Sequence, residues 1–145
     1  MTNLPKRPLE ILLVEDDPAD ASLTIDALRH SAVENHVCHV ADGEAAAEHL
    51  RGASPDLIIL DLNLPRKDGR ELLRELKADP ARRTIPVAIF TTSSSEQEIQ
   101  DAYSAYANCY VCKPVGLDEY LARVQGMTSF WYREATLPPF SRRQE

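Results

Sequence analysis

Short runs of apolar residues recur along the chain, and the most informative one covers residues 57–60. These four consecutive apolar residues lie between Pro55 and the polar stretch that begins at Asp61. A short, unbroken apolar run bounded by turn residues predicts a strand buried on both faces, as at the centre of a parallel sheet. Similar runs predict four further strands, at Leu9–Val14, 37–41, 86–90 and Cys109–Cys112.

A helical pattern of apolar residues follows each predicted strand. Asp17 and Pro18 are typical of a helix start, and Ser95 with Glu98 has the spacing of a capping box. Periodicity predicts that the third, fourth and fifth helices face the core with three sets of residues: Leu72, Leu73 and Leu76; Ile99, Ala102, Tyr103 and Tyr106; and Leu117, Tyr120, Leu121 and Val124.

The alternation of strands and helices predicts a single α/β domain. We expect a flavodoxin-like, doubly wound, five-stranded parallel sheet in the order 2-1-3-4-5, with five helices on its two faces. In that order the first and third strands flank the switch point of the sheet. Glu15, Asp16 and Asp61 follow these two strands. The three carboxylates are therefore expected to converge in one crevice.

The residues expected in this crevice favour phosphoryl-transfer chemistry. Clustered carboxylates repel one another unless a cation is near, and hard oxygen ligands suit Mg²⁺. Thr91 and Lys113 end the fourth and fifth strands and bring a hydroxyl and an ammonium group to the same edge. A carboxylate nucleophile at Asp61, a magnesium ion, a hydroxyl and a lysine together predict a site at which Asp61 accepts a phosphoryl group.

Composition excludes several other classes of function. The formal net charge of −7 argues against a general nucleic-acid surface. No apolar run is long enough to span a bilayer, and the N-terminus lacks a signal-peptide core, so we expect a cytoplasmic protein without a membrane partner. Three cysteines suggest reduced thiols. Cys109 and Cys112 are three residues apart on a strand and are interpreted as ordinary thiols rather than zinc ligands.

Four motifs in register identify a family resemblance. They are Val14-Glu15-Asp16-Asp17, Asp61 through Pro65 with Asp68-Gly69, Thr91-Thr92, and Lys113-Pro114. With this order and spacing, the chain from about Leu9 to Val124 resembles the receiver domain of two-component response regulators. The resemblance implies phosphorylation of Asp61 by a sensor histidine kinase.

The same resemblance implies a role for each site residue. Mg²⁺ would be held by Asp16, Asp61 and the backbone carbonyl of Asn63, with Glu15 reaching it through water. Thr91 and Lys113 would bind the phosphoryl oxygens. Tyr110 lies where the family has its aromatic switch residue, coupled to movement of Thr91. The resemblance also implies a cis peptide bond at Lys113-Pro114.

Two further segments are similar to the small single-domain regulators that pair with bacterial phytochrome kinases. The first of these regions comprises residues 70–77, 85–87 and 91–95. The second is the tail, which contains Phe130-Trp131-Tyr132 and Leu137-Pro138-Pro139. A bacteriophytochrome is therefore a possible kinase partner. We expect an N-terminal arm at 1–8, the receiver domain at 9–134 and a tail at 135–145 that contributes to an interface. Because only a short segment follows Val124, we expect no DNA-binding output domain.

The aromatic run Phe130-Trp131-Tyr132 cannot face the core of one helix with all three rings. An exposed aromatic patch is typical of an interface. We therefore expect a symmetric homodimer through the last helix and tail. The alternative is a tail folded back onto its own domain.

Two other functions compete with a signalling switch. A magnesium-dependent phosphatase with an aspartyl nucleophile would need a second aspartate two residues after Asp61, where this chain has Asn63. A flavin mononucleotide binder would need a phosphate-binding loop after the first strand, where the acidic residues from Glu15 to Asp17 would repel a phosphate. The switch is the preferred interpretation.

Overall fold

The computed structural model describes residues 7–138, in which five strands alternate with five helices. The strands are β1 (Leu9–Val14), β2 (Asn35–Val40), β3 (Leu57–Leu60), β4 (Val87–Thr91) and β5 (Cys109–Cys112). The helices are α1 (Pro18–Arg29), α2 (Gly43–Gly52), α3 (Gly69–Ala78), α4 (Glu96–Ser104) and α5 (Leu117–Ser129), and a π-helical turn covers Phe130–Glu134. The predicted elements are confirmed, and among the strands only the bounds of β2 and β4 move, by one or two residues.

All strand pairs are parallel, and the sheet has the order β2-β1-β3-β4-β5. The predicted flavodoxin-like topology is therefore confirmed. The central strand β3 pairs with β1 on one side and β4 on the other, and its four residues are at most 1% exposed. This complete burial explains why its sequence is apolar without alternation.

The helices cover both faces of the sheet and enclose two cores. On one face, α2, α3 and α4 pack on the sheet through Ala46, Leu50, Leu72, Leu73, Leu76 and Ala102. On the other face, α1 and α5 pack through Ala27, Leu28, Tyr120, Val124 and Met127. Both layers leave the carboxyl ends of the strands open, which is where the candidate site lies.

The predicted caps Asp17 and Ser95 and the predicted first-turn proline Pro18 are found as expected. The Asp17 carboxylate accepts from the backbone N–H groups of Ala19 and Asp20, with Pro18 in the first turn of α1. Ser95 accepts from the Glu98 N–H at 3.3 Å. The Glu98 carboxylate does not complete a capping box, because it accepts from Arg70 Nη2 at 2.8 Å. This ion pair instead joins the first turns of α3 and α4.

Three large side chains predicted for the core are exposed. Tyr103, Tyr106 and Leu117 are 48%, 74% and 56% exposed. Tyr106 lies beyond the end of α4 and has a positive φ of 71°, so the helical periodicity does not extend to it. The Tyr103 hydroxyl accepts from the Tyr110 N–H at the sheet edge, and Leu117 is the first residue of α5, ahead of the turns that pack.

The expected cis bond at Lys113-Pro114 is wrong, because every peptide bond within residues 7–138 is trans. Trans is the lower-energy isomer even before proline.

Of the arm expected at 1–8, residues 1–6 lie outside the described chain. Arg7 makes a two-point ion pair with Asp56, which is fully buried just before β3.

None of the helices described between residues 7 and 138 could cross a membrane.

Candidate functional site

The carboxylates of Glu15, Asp16 and Asp61 converge at the carboxyl edge of the sheet, as predicted. Parallel pairing continues just past the strand ends, where Asp61 N donates to Val14 O at 3.0 Å. One oxygen from each of the three carboxylates lies within 4.8 Å of the others. Glu15 and Asp61 are 2% and 8% exposed, whereas Asp16 is exposed. The crevice therefore has a buried interior and an acidic rim.

Lys113 reaches this crevice from the end of β5. Its side chain is 3% exposed, and Nζ donates to Glu15 Oε1 at 2.6 Å, to Asp20 Oδ2 at 2.8 Å and to Asp61 Oδ2 at 2.9 Å. The Lys113 N–H also donates to Thr91 O at 2.7 Å, which fixes the end of β5 against β4. The ammonium group thus lies among carboxylates from three separate segments.

Asp20 is the member of the site that sequence reasoning missed. It lies in the first turn of α1 and is only 26% exposed at its side chain. The helix periodicity assigned it no role, because a polar residue in a first turn is ordinarily solvated. The sequence feature that could have indicated a role is its position four residues after Asp16, in the first turn of the helix that follows the acidic residues.

Burial and the ion pair between Lys113 and Glu15 act in opposite directions on the pKa values of these two groups. Burial by itself would lower the pKa of Lys113, but its hydrogen bonds to Asp20, Glu15 and Asp61 raise that pKa above its ordinary value. Burial raises the pKa of Glu15 to about 7, and the Asp61 charge adds to this, while the Lys113 hydrogen bond lowers it. Lys113 is therefore charged at neutral pH, and a further cation near Glu15 would favour the ionised carboxylate.

The donor set fits a hard divalent cation. Mg²⁺ prefers oxygen ligands and is typically bound through one or two carboxylates with several waters. Both Glu15 oxygens already accept hydrogen bonds, one from Lys113 and one from the Asp17 N–H at 3.1 Å. Both Asp61 oxygens also accept hydrogen bonds, Oδ2 from Lys113 and Oδ1 from Asn63, so the exposed Asp16 carboxylate is the most accessible of the three to a cation. The Asn63 backbone lies against the site, since its N–H donates to Asp61 Oδ1 at 3.2 Å.

Thr91 and Tyr110 meet at one residue of the loop that precedes α4. Thr91 is fully buried, and its Oγ1 accepts from the Ser93 N–H at 3.4 Å. The Tyr110 hydroxyl donates to the Ser93 carbonyl at 3.1 Å. The two residues predicted to form a switch are therefore linked through Ser93, so movement of this loop would affect both.

The loop after β3 packs tightly below the predicted phosphoacceptor. Gly69 donates its N–H to Leu62 O at 3.1 Å and begins α3. A Cβ at this position would lie 2.8 Å from the Leu62 Cα and closer still to the Asp61 carbonyl. Glycine is needed here for close backbone approach, which explains the Asp68-Gly69 motif.

The three aromatic residues of the tail are not equivalent. Trp131 and Tyr132 are partly buried against the core formed with α1 and α5, together with Leu137. Phe130 is 49% exposed, and its ring makes an edge-to-face contact with Trp131, with the ring centroids 5.2 Å apart.

Cys109 and Cys112 are free thiols, as interpreted from the sequence.

Comparison with known proteins identifies the family of this chain. Residues 11–125 match the family model described as the response regulator receiver domain. The chain is 41% identical over 138 residues to the response regulator Rcp1 of Synechocystis sp., covering 90% of this chain and 94% of that protein.

Solved structures of response regulators have the same fold as this chain. The phosphorylated cyanobacterial phytochrome response regulator RcpA is 43% identical, with a TM-score of 0.88, and the match covers 92% of this chain and all of that one. The Mn²⁺-bound form of Rcp1 is 41% identical, with a TM-score of 0.84, over 91% of this chain and 100% of that one. Together with the acidic crevice and its lysine, these matches establish that the chain belongs to the response regulator receiver domain family.

Proposed function

We propose that this protein is a phosphoacceptor switch of a two-component system and that Asp61 accepts the phosphoryl group. The observation that carries the proposal is the contact between the Asp61 carboxylate and the buried Lys113 ammonium at 2.9 Å, beside two further acidic residues. A nucleophilic carboxylate beside a fixed cation is what phosphoryl transfer requires.

An oxygen lone pair of Asp61 attacks the phosphorus of a phosphohistidine in a sensor histidine kinase, and the P–N bond breaks. The imidazole nitrogen keeps the electron pair of that bond and takes up a proton. Asp61 is left as an acyl phosphate. Lys113 and the Thr91 hydroxyl bind the phosphoryl oxygens and stabilise their negative charge.

Asp16 and Asp61 would hold Mg²⁺ directly, with the carbonyl of Asn63 as a further ligand and Glu15 acting through water. The ion would neutralise charge on the transferring group. Support comes from the oxygen-only donor set and from the relative Rcp1, which has a Mn²⁺-bound form.

The signal is passed on by protein–protein contact. Phosphorylation draws Thr91 towards the phosphoryl group, which moves Ser93 and thereby changes the position of Tyr110. The kinase partner proposed for this chain is a bacteriophytochrome, because RcpA is a phytochrome response regulator. The phosphatase alternative is not supported, since the matched family is a receiver domain.

The decisive experiment measures intact mass after incubation with acetyl phosphate, with and without Mg²⁺. We expect a single phosphoryl adduct that depends on Mg²⁺ and is absent from Asp61→Asn. Asp56→Asn is the matched control, because Asp56 is also a buried aspartate next to β3 and directly precedes the strand, whereas Asp61 directly follows it. An adduct in Asp61→Asn, or none in the wild-type protein, would contradict the proposal.

We also propose a homodimer through α5 and the tail. A groove of about 700 Å³ is lined by Cys109, Met127, Phe130 and Trp131 at the β5 edge of the sheet. A second copy would cover the exposed Phe130 ring. Sedimentation at micromolar concentration should give a dimer for the wild type and for Tyr106→Ser, whose exposed ring lies elsewhere, and a monomer for Phe130→Ser. A monomeric wild-type protein would rule this interface out.

A further inference from the structure

The Lys113 ammonium group has three hydrogens, and all three are donated to carboxylates. Two of the acceptors, Glu15 and Asp61, belong to the proposed phosphoryl-transfer machinery. The third, Asp20, has no part in the transfer described above. The Asp20 carboxylate accepts from Lys113 Nζ at 2.8 Å and the Asp61 carboxylate at 2.9 Å, so the two hydrogen bonds are of similar length.

Asp20 is held in this position from outside the crevice. The Tyr120 hydroxyl of α5 donates to the Asp20 backbone carbonyl at 3.2 Å. The same hydroxyl shares a 2.9 Å hydrogen bond with Thr24, which is fully buried one turn further along α1. The first turn of α1 is therefore fixed against α5, and the Asp20 carboxylate is directed at Lys113 by a rigid support.

We propose that Asp20 competes with the phosphoryl group for the Lys113 ammonium and thereby shortens the lifetime of phosphorylated Asp61. The inference rests on the proposed function. When Asp61 is phosphorylated, its new anionic oxygens need donors at the position where Asp61 now contacts Lys113. Asp20 retains one N–H of the ammonium and adds a negative charge that repels the phosphoryl group. Asp20 acts through Lys113 and is a positioning residue.

The reaction whose rate changes is hydrolysis of the acyl phosphate. Water attacks the phosphorus, the bond between phosphorus and the Asp61 oxygen breaks, and that oxygen keeps the electron pair. The products are the free Asp61 carboxylate, inorganic phosphate and a proton. Removing the Asp20 charge lowers its repulsion of the phosphoryl group and weakens the acceptor that competes for one Lys113 N–H, so hydrolysis should slow.

The test compares Asp20→Asn, Asp20→Glu and wild type, each phosphorylated with acetyl phosphate and Mg²⁺ and then freed of the donor. Loss of the phosphoryl adduct is followed by intact mass. We expect the adduct of Asp20→Asn to persist about fivefold longer, in line with the typical net contribution of one hydrogen bond. Asp20→Glu keeps the charge and should decay at a rate close to that of the wild type.

The matched control is Asp17→Asn, which removes a negative charge three residues away at the exposed N-cap of α1, where asparagine caps equally well. Its adduct should decay as in the wild type. A merely structural role for Asp20 predicts a loss of function, whereas the competition predicts a gain in lifetime. Urea unfolding of each variant shows whether the fold is retained.

The outcomes separate this inference from the proposed function. If wild type and all variants take up a phosphoryl group but Asp20→Asn loses it as fast as the wild type or faster, the competition is wrong and the proposed function stands. If Asp17→Asn gains the same lifetime, the effect is a general charge effect and the competition is also wrong. If no protein is phosphorylated, both the proposed function and the inference fail.

Discussion

A Cβ added at Gly69 would lie 2.4 Å from the backbone carbonyl oxygen of Asp61. The start of α3 therefore contacts the backbone of Asp61, the proposed phosphoacceptor, with no room for a side chain. Any substitution at Gly69 must move either the start of α3 or the end of β3.

Gly69→Ala is expected to lower the free energy of unfolding by about 2 kcal/mol, because backbone atoms have to shift in a packed region. It should also slow phosphorylation by acetyl phosphate, since Asp61 moves. Gly126→Ala is the control, because a Cβ there would meet no atom within 4 Å apart from the adjacent backbone of α5. Alanine also stabilises a helix interior by about 1 kcal/mol relative to glycine. Urea unfolding should therefore shift in opposite directions for the two variants. A Gly69→Ala protein as stable as the wild type would contradict the close approach.

Replacing Lys113 leaves three carboxylates without their shared cation. Lys113→Met is expected to destabilise the fold by about 3 kcal/mol, the usual cost of breaking a buried ion pair on one side. Mg²⁺ should restore more stability to this variant than to the wild type, because the ion would neutralise the same carboxylates. Urea unfolding with and without Mg²⁺ measures both effects.

The control for Lys113 is Lys67→Met, which removes a cation paired with Glu75 at the surface. Surface ion pairs contribute little to stability, so this variant should unfold like the wild type. Equal stability of the Lys113→Met protein and the wild type would show that the carboxylates do not depend on the lysine.

Asp16 is expected to determine magnesium affinity, whereas its neighbour Asp17 caps α1. Asp16→Asn should weaken Mg²⁺ binding about tenfold, since it removes one of the charged oxygen ligands. Asp17→Asn preserves the cap and should leave the affinity unchanged. Titration calorimetry with Mg²⁺ measures both. Equal affinities of the two variants would exclude Asp16 as a ligand.

Lys77 provides a prediction about pH away from the site. Its Nζ donates to the carbonyls of Arg83 and Ile85 and to Asn108 Oδ1 at 2.9–3.0 Å. Burial lowers the pKa of Lys77 to about 8 from its ordinary value of 10.5. Between these pH values the unfolded chain binds more protons at this residue than the folded protein. The contribution of Lys77 to the free energy of unfolding therefore rises with pH across that window.

The measurement is the difference in unfolding free energy between the wild type and Lys77→Gln from pH 7 to pH 10. This difference should be flat below about pH 8 and should then increase. Lys67 is the contrast, because its hydrogen bond to Glu75 raises its pKa. In an NMR titration Lys77 should lose its proton well before Lys67. The reverse order would contradict the burial of Lys77.

The sequence by itself determined the topology and the members of the acidic crevice. Leu57–Leu60 is apolar without alternation because both of its faces are buried, and this identified the central strand. Parallel strands connected by helices have few allowed arrangements, so the residues that follow β1 and β3 had to meet. Glu15, Asp16 and Asp61 could thus be placed together without knowledge of any side-chain contact.

Only the tertiary structure decided which side chains share partners across elements. The contact of Asp20 with Lys113 joins α1 to β5, and the contact of Arg70 with Glu98 joins α3 to α4. Helical periodicity also failed for Tyr106 and Leu117, which lie beyond the end of α4 and at the start of α5. A periodic pattern reports which face of an element is apolar. Contacts between distant elements depend on how the helix ends are placed relative to one another, and this is set by packing of the whole domain.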